Sequence, residues 1–152
     1  MITIQNSITL NSTPQVVYNY VTQPWFWHDW HPSSVSAQSN KKVLQTGDTF
    51  LEEIKVHPLS PLPLELRRKT KYEVIRCEPY KLWQVKGILQ DGWLKILYEF
   101  IPIENQTLFK RTLTFEITGY KKFFLPYLLK RRMEKLSPVA LENLKKKLES
   151  NM

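Results

Sequence analysis

The sequence has one cysteine, Cys77, and only four glycines among its 152 residues. A lone cysteine excludes an internal disulfide, is typical of a reducing compartment, and favours a small buried apolar role over a nucleophilic one. No Gly-rich phosphate-binding loop occurs, and no apolar run approaches the ~18 residues of a membrane span. The first ten residues, MITIQNSITL, lack the basic segment and apolar core of a signal peptide. We therefore expect a soluble, cytoplasmic protein.

Acidic residues are scarce relative to basic ones, because 14 Asp and Glu oppose 22 Lys and Arg, and the net charge is +8. Residues 1 to 118 carry 13 basic and 11 acidic residues, whereas residues 119 to 152 carry nine and three. A basic segment of this kind suits a solvated helix face, an anionic membrane or nucleic acid. Since no recognised RNA- or DNA-binding motif is present, we predict no nucleic-acid partner.

The sequence also lacks recognisable catalytic and metal-binding motifs. There is no Ser-His-Asp order and no local pair of carboxylates suited to acid-base catalysis. His28, Asp29 and His31 lie close together, but a metal site needs further ligands, and no complementary His or Cys cluster exists. We therefore predict that the protein uses no metal and no cofactor, and that it binds a ligand without catalysing a reaction. Residues from distant strands can nevertheless come together to form an active site.

The longest helical pattern runs from Gly119 to Glu149. Apolar residues recur there at steps of three or four and line one helix face: Leu125, Leu129, Met133, Leu136, Ala140, Leu144 and Leu148. Pro138 interrupts this pattern, so we expect a kink or a break near Ser137, with Ser137 as a candidate cap of a second segment. An amphipathic helix of this length needs an apolar surface to pack against.

Alternating apolar and polar residues, typical of strands, dominate the chain before this helix. Ile2, Ile4, Ile8 and Leu10 mark the first strand, and a short helix with Ser12 or Thr13 as its N-cap follows. Further strands are expected near residues 35–37, 50–56, 67–77, 83–85, 96–100 and 109–117, with a hairpin turn at Gln90-Asp91-Gly92. The sequence predicts an α+β fold with about seven antiparallel strands, two short helices after strand one and one long C-terminal helix.

Two segments stand out between the strands. Gln23 to His31, QPWFWHDWH, concentrates three tryptophans and a phenylalanine, and such a cluster forms either a hydrophobic plug on the core or the mouth of a pocket. The proline-rich stretch Pro58 to Pro63 cannot lie inside a sheet and is expected to be a stiff rim loop.

A long sheet curls, and a curled sheet that packs on a helix encloses a space suited to a ligand. The alternation directs a mainly apolar set of residues towards the helix: Phe50, Glu52, Tyr72, Trp83, Tyr98, Arg111 and Phe115. The start of the helix is expected to contribute Phe124, Tyr127 and Leu128, and Trp30 to close one end. Tyr72 and Tyr98 are interpreted as pocket-lining aromatics or hydrogen-bond donors rather than as acid-base groups.

Glu52 and Arg111 are charged residues on otherwise apolar strand faces. An unpaired charge in a closed apolar space costs several kcal/mol. Three interpretations remain open. The two residues pair with each other, Arg111 holds a ligand carboxylate while Glu52 holds a ligand hydroxyl, or Arg111 lies near a strand end and reaches solvent.

A first strand followed by STPQVVYNYV, then WHDWHPS, TGDTF, YEVIRCEPYKLW and a last strand running into LPYLLKRRMEKLSPVALENLKKKLE, resembles the START-like helix-grip (SRPBCC) superfamily. This superfamily includes polyketide cyclases, pollen-allergen-like proteins and lipid-transfer domains. The resemblance covers nearly the whole chain, and we expect residues 1–152 to form a single domain. It implies a seven-stranded antiparallel sheet wrapped around the C-terminal helix, with an internal cavity for a hydrophobic or amphipathic small molecule such as a lipid, quinone or polyketide.

Two alternatives accompany this expectation of ligand binding. The first is an enzyme of polyketide cyclase or aromatase type, in which the same cavity folds and dehydrates a bound chain. The second is a shuttle for a lipid or quinone that makes transient contact with an anionic membrane through the basic C-terminal helix.

Overall fold

The structure is a computed structural model that describes residues 1–59 and 61–150. Its elements follow in this order: β1 (Ile2–Leu10), α1 (Pro14–Val21), a first 3₁₀ turn (Pro24–Asp29), β2 (Ser34–Gln38), β3 (Thr49–Val56), β4 (Leu66–Glu78), β5 (Leu82–Leu89), β6 (Gly92–Ile103), β7 (Gln106–Ile117), a second 3₁₀ turn (Tyr120–Phe123) and α2 (Leu125–Ser150). The predicted fold class is confirmed, including the two short helical segments after β1 and the long C-terminal helix.

All seven strands form one antiparallel sheet in the order β1-β7-β6-β5-β4-β3-β2. Strands β2 to β6 each pair with the next strand along the chain, whereas β1 pairs with β7, with Ile2 opposite Phe115. The alternation is clearest in β7, where every second residue from Thr107 to Ile117 is buried. The inward side chains of the sheet therefore form the core beneath α2.

Local sequence signals explain how α1 and the turn after it are fixed. Thr13 is the N-cap of α1, and its Oγ1 accepts a hydrogen bond from the Val16 amide at 3.4 Å. Pro14 occupies the first turn, where its missing amide hydrogen is not needed. The Trp27 indole donates to the Val21 carbonyl at 2.7 Å, which joins the first 3₁₀ turn to the end of α1.

The C-terminal helix α2 continues through Pro138 as one element, so the expected break is wrong, while the alternative of a kink stays a prediction. Ser137 is buried, and its Oγ has no partner within residues 1–59 and 61–150, so it does not cap a second segment. Pro138 itself is exposed, so water can bond the carbonyl that loses its amide donor. In the part of the chain that is described, no helix is long and apolar enough to cross a membrane.

Two parts of the sequence-based predictions fall outside this description. Ser60, which belongs to the expected rim loop Pro58 to Pro63, is not among the described residues. The same holds for Asn151 and Met152 at the end of the predicted domain 1–152.

Candidate functional site

A cavity of about 90 Å³ lies between the concave face of the sheet and the first half of α2. Since a single water needs at least roughly 10–15 Å³, the space is large enough for more than one water or for a small ligand. Most of its wall is apolar and comes from five strands and α2: Ile54, Val56, Leu66, Leu89, Leu94, Ile96, Leu113, Phe115, Ile117, Leu129 and Met133. The composition suits an apolar ligand body.

Aromatic side chains of four neighbouring strands form a stacked layer at one end of the cavity. Phe50 stacks on Tyr72 with ring centroids 4.9 Å apart, and Trp83 stacks on Tyr98 at 5.5 Å. Trp27 stands roughly edge-on to all four rings, at centroid distances of 5.5 to 6.3 Å. Edge-on contacts of this kind are favoured by the charge distribution of aromatic rings. The Trp-rich segment therefore serves as a plug through Trp27, which also lines the cavity.

Glu52 is buried beside this aromatic layer, with 5% of its surface exposed. Its carboxylate accepts hydrogen bonds from Ser34 Oγ at 2.8 Å and from the Tyr72 hydroxyl at 3.1 Å. Burial raises the pKa of Glu52 to about 7, although both hydrogen bonds and the Arg111 guanidinium act in the opposite direction. The carboxyl group therefore changes its charge near neutral pH.

Arg111 lies on β7, opposite Tyr98 of β6, and only 6% of it is exposed. It forms no salt bridge with Glu52 or with another carboxylate of the described residues, and its Nε lacks a hydrogen-bond partner among them. The interpretations that Arg111 pairs directly with Glu52 or reaches solvent are therefore wrong. The interpretation that Arg111 holds a ligand carboxylate stays a prediction.

His31 joins this polar end of the cavity, although from the sequence it was considered only as a possible metal ligand. The Ser33 amide donates to His31 Nδ1 at 3.2 Å, and Ser33 Oγ lies 2.8 Å from the same atom. Burial, together with the nearby Arg111, holds the pKa of His31 well below its usual value. The ring is therefore neutral, and its proton lies on Nε2, which has no partner in the described ranges.

The two tyrosines of the site keep their protons. Burial raises the pKa of Tyr72 well above its usual value, and the neighbouring Glu52 carboxylate raises it further. Burial also raises the pKa of Tyr98, although Arg111 opposes this shift. A tyrosine that stays neutral donates hydrogen bonds and does not serve as a base near neutral pH.

A second polar contact lies at the opposite end of the cavity, where Arg68 contributes to the lining. Two nitrogens of its guanidinium group donate to the two carboxylate oxygens of Asp91 at 2.6 and 2.8 Å, and Lys121 Nζ lies 3.7 Å from Asp91. Arg68 holds the pKa of Asp91 below its usual range. The pair joins β4 to the turn between β5 and β6 and was not predicted.

Eight of the predicted site residues are buried between sheet and helix. Five of them line the cavity: Glu52, Tyr72, Tyr98, Arg111 and Phe115. Trp30, Phe50 and Trp83 are buried in the surrounding core without lining it. The Trp-rich segment closes the cavity with Trp27 rather than with Trp30, whose ring packs beside His31 and Tyr98.

The predicted contribution of Phe124, Tyr127 and Leu128 to the cavity is wrong. Phe124 and Tyr127 are exposed, and Leu128 lines a separate surface groove. The helix begins at Leu125 and turns by about 100° per residue, so Leu129 and Met133 take the inward face and the other three point elsewhere.

The histidines before β2 do not assemble a metal site. His28 Nε2 lies 3.3 Å from the Asp29 carboxylate in a partly exposed pair. Within residues 1–59 and 61–150, no three His, Cys, Asp or Glu side chains are grouped closely enough to hold a metal ion.

Comparison with solved structures gives the same architecture. A protein of Thermus thermophilus matches with a TM-score of 0.73 and 14% identity over 99% of each chain. A conserved protein of Geobacillus kaustophilus matches with a TM-score of 0.73 and 15% identity, over 98% of this chain and 96% of its own. The Zhui aromatase/cyclase of a Streptomyces species matches with a TM-score of 0.69 and 9% identity, over 97% and 93%.

At these identities the solved structures show a shared fold. No match is found among the curated proteins. The family model described as polyketide cyclase / dehydrase and lipid transport, however, matches residues 1–149. With nearly the whole chain matched, the protein belongs to the polyketide cyclase / dehydrase and lipid transport family.

Proposed function

We propose that the protein binds a small amphipathic molecule whose anionic head group lies against Arg111. The observation that carries this proposal is a buried guanidinium group, in an apolar cavity, without a carboxylate partner among the described residues. Leaving such a charge unpaired costs several kcal/mol, which a ligand carboxylate would offset. The Nε2 hydrogen of the neutral His31 supplies a second donor at the same end.

The apolar body of the ligand would lie along the strand residues and the inward face of α2. Ile96, Leu113 and Phe115 line the cavity from the sheet, and Leu129 and Met133 line it from the helix. The volume of about 90 Å³ favours a short chain over a long lipid. Octanoate is therefore a suitable probe, and 1-octanol is the matched probe without the charge.

Replacing Arg111 with Met should weaken octanoate binding tenfold or more, since a hydrogen bond to a charged group contributes about 1.5–3 kcal/mol. Affinity is measured by calorimetric titration. The fold should survive, because Met has a similar length and removes a buried unpaired charge. Binding of 1-octanol should change little.

Arg76→Met is the matched control, because Arg76 is an exposed cation on β4. It should leave octanoate affinity unchanged. The proposal is contradicted if Arg111→Met binds octanoate as well as the wild-type protein, or if the wild-type protein does not prefer octanoate to 1-octanol.

Octanoate affinity should also fall as the pH rises through about 7. Above this value Glu52 is ionised, since its pKa is raised to about 7, and its negative charge then competes with the ligand for Arg111. We expect a loss of about tenfold between pH 6 and pH 8, from charge repulsion at short range. The octanoate affinity of the Glu52→Gln variant should not fall between pH 6 and pH 8. An equal loss of affinity in this variant would assign the pH dependence to another group.

A second candidate, an activity of cyclase or aromatase type, is favoured by one specific observation. Glu52 borders the cavity and titrates near neutral pH, as an efficient general acid or base does. If Glu52 assists dehydration of a bound chain, molecules extracted from Glu52→Gln protein should be heavier by one water than those extracted from the wild-type protein. Mass spectrometry of the two extracts tests this, and identical masses argue for binding alone.

A further inference from the structure

The most exposed aromatic side chains of the described residues all lie in one eight-residue stretch. Tyr120 is 75% exposed, Phe123 73%, Phe124 52% and Tyr127 67%. Elsewhere in the described ranges, the exposed aromatics are Phe26 and Tyr80, at 38% and 41%. Large aromatic rings are rarely left this exposed in a group without a binding purpose.

Cations surround these rings. Between Tyr120 and Lys135 the sequence has six Lys and Arg and a single Glu. Lys121 pairs with Asp91, and Lys130 pairs with Glu134 at 3.9 Å. Within the described ranges, Lys122 and Arg131 form no salt bridge, and Lys122 Nζ lies 5.3 Å from the Phe123 ring centroid.

This aromatic and basic patch lies at the open end of the cavity. The lining residues there, Leu66, Leu89 and Leu129, are only half-buried, whereas the aromatic layer at the other end is fully buried. The ion pair between Lys121 and Asp91 places the patch beside the turn that also holds Arg68. The patch and the half-buried end of the cavity therefore lie close together, since Lys121 and the lining residue Arg68 both pair with Asp91.

We propose that this mouth surface, formed by Tyr120, Lys122, Phe123, Phe124, Tyr127 and Arg131, docks on an anionic lipid bilayer. Aromatic rings suit the boundary between head groups and acyl chains, and cations are attracted to anionic head groups. The rings project from a turn and the first turn of a helix, and insertion into a bilayer needs no partner of complementary shape. Docking does not require a ligand in the cavity, so it stands independently of the proposed function.

The test is sedimentation with vesicles at low salt. Vesicles of phosphatidylcholine and phosphatidylglycerol in equal parts should bind the wild-type protein, and vesicles of phosphatidylcholine alone should bind it much less. The double variant Lys122→Gln, Arg131→Gln should bind the anionic vesicles tenfold more weakly or worse, because two attracted cations are lost. The double variant Phe123→Ser, Tyr127→Ser should bind the anionic vesicles more weakly by a similar factor, because two aromatic rings are lost.

The double variant Lys146→Gln, Lys147→Gln is the matched control. Both lysines are exposed near the other end of α2, and the change in net charge equals that of Lys122→Gln, Arg131→Gln. The affinity of this control for anionic vesicles should fall by no more than about twofold, since the two charges that it removes lie away from the mouth surface. Because all six positions are exposed, melting temperatures should stay close to that of the wild-type protein.

Three outcomes would overturn the proposal. The first is failure of the wild-type protein to prefer anionic vesicles, and the second is an equal loss of binding in the Lys146 and Lys147 control. The third is a change of oligomeric state in the Phe123 and Tyr127 variant without vesicles, measured by analytical ultracentrifugation. That result would assign the surface to contact between copies of the chain.

Discussion

Glu52→Gln should be more stable than the wild-type protein at pH 8, by about 3 kcal/mol, and similar to it at pH 4. The folded protein raises the pKa of Glu52 to about 7 from an ordinary value of 4.5. This difference corresponds to about 3 kcal/mol of unfolding free energy. Gln carries no charge at any pH, while its amide oxygen can still accept from Ser34 or Tyr72.

The direction of the pH dependence follows from which state binds the proton. Below about pH 4.5 the Glu52 carboxyl is protonated in both the folded and the unfolded protein, and wild-type protein then has no stability loss from Glu52. Between 4.5 and about 7 the unfolded chain ionises while the folded protein still holds the proton, so wild-type stability falls with rising pH. Above about pH 7 Glu52 is ionised in both the folded and the unfolded protein, and the loss of stability is complete.

Urea unfolding between pH 4 and pH 8 measures the effect. Glu73→Gln is the control, because Glu73 is exposed on β4 and should leave the pH dependence of the wild-type protein intact. If Glu52→Gln and wild-type protein show parallel stability profiles over this range, Glu52 is not held protonated by burial.

Gly92→Ala should destabilise the protein by about 3 kcal/mol, because β6 approaches the backbone of β7 too closely for a side chain. A Cβ atom at Gly92 would lie 1.9 Å from the Glu116 carbonyl oxygen and 3.1 Å from the Ile117 Cα. Backbone atoms within a paired sheet cannot move aside as a flexible side chain does. The Thr118 amide, which donates to the Asp91 carbonyl at 2.7 Å, would also be displaced.

Thermal or urea unfolding of Gly47→Ala provides the comparison. Gly47 has a φ of +94° and no atom within 4 Å of its added Cβ, so this variant reports only the cost of an unfavourable backbone conformation. That cost is about 1–2 kcal/mol. A Gly92 variant no less stable than the Gly47 variant would show that β6 and β7 can separate without penalty.

Strand alternation was enough to identify the two charged residues of the site. In β7, Phe109, Arg111 and Leu113 share the buried face, as their spacing predicts. In β3, Glu52 follows Phe50 at a spacing of two and is buried with it. Because side chains in a strand alternate strictly between faces, a single well-placed apolar residue determines the orientation of its neighbours.

The helix start was predicted less well, because an apolar run such as FFLPYLL does not show which of its residues begins the helix. Leu125, Leu129 and Met133 form the inward series, and their spacing was visible in the sequence. The error was to add Phe124, Tyr127 and Leu128, which were expected to face the cavity because they lie at the apolar start of the helix. Phe124 precedes the helix and Tyr127 lies on its outward side, and the apolar run does not distinguish these positions from the inward ones.

His31 and Arg68 were missed for different reasons. His31 follows an irregular turn, where no periodicity relates a side chain to the core. Arg68 lies two residues before Thr70 on β4, and the same alternation that placed Tyr72 would have directed it inward. Its partner Asp91 is 23 positions away in the chain, so the pair is apparent only once β4 and the hairpin are placed together.

The pairing of β1 with β7 affects the order in which the protein folds. Thr3 and Thr114, which face each other across this pair, are separated by 111 positions. During synthesis, β1 therefore leaves the ribosome about 100 residues before β7 and has no strand partner in that interval. Contacts this distant in sequence slow folding, so the pairing of β1 with β7 should be among the last parts of the sheet to form.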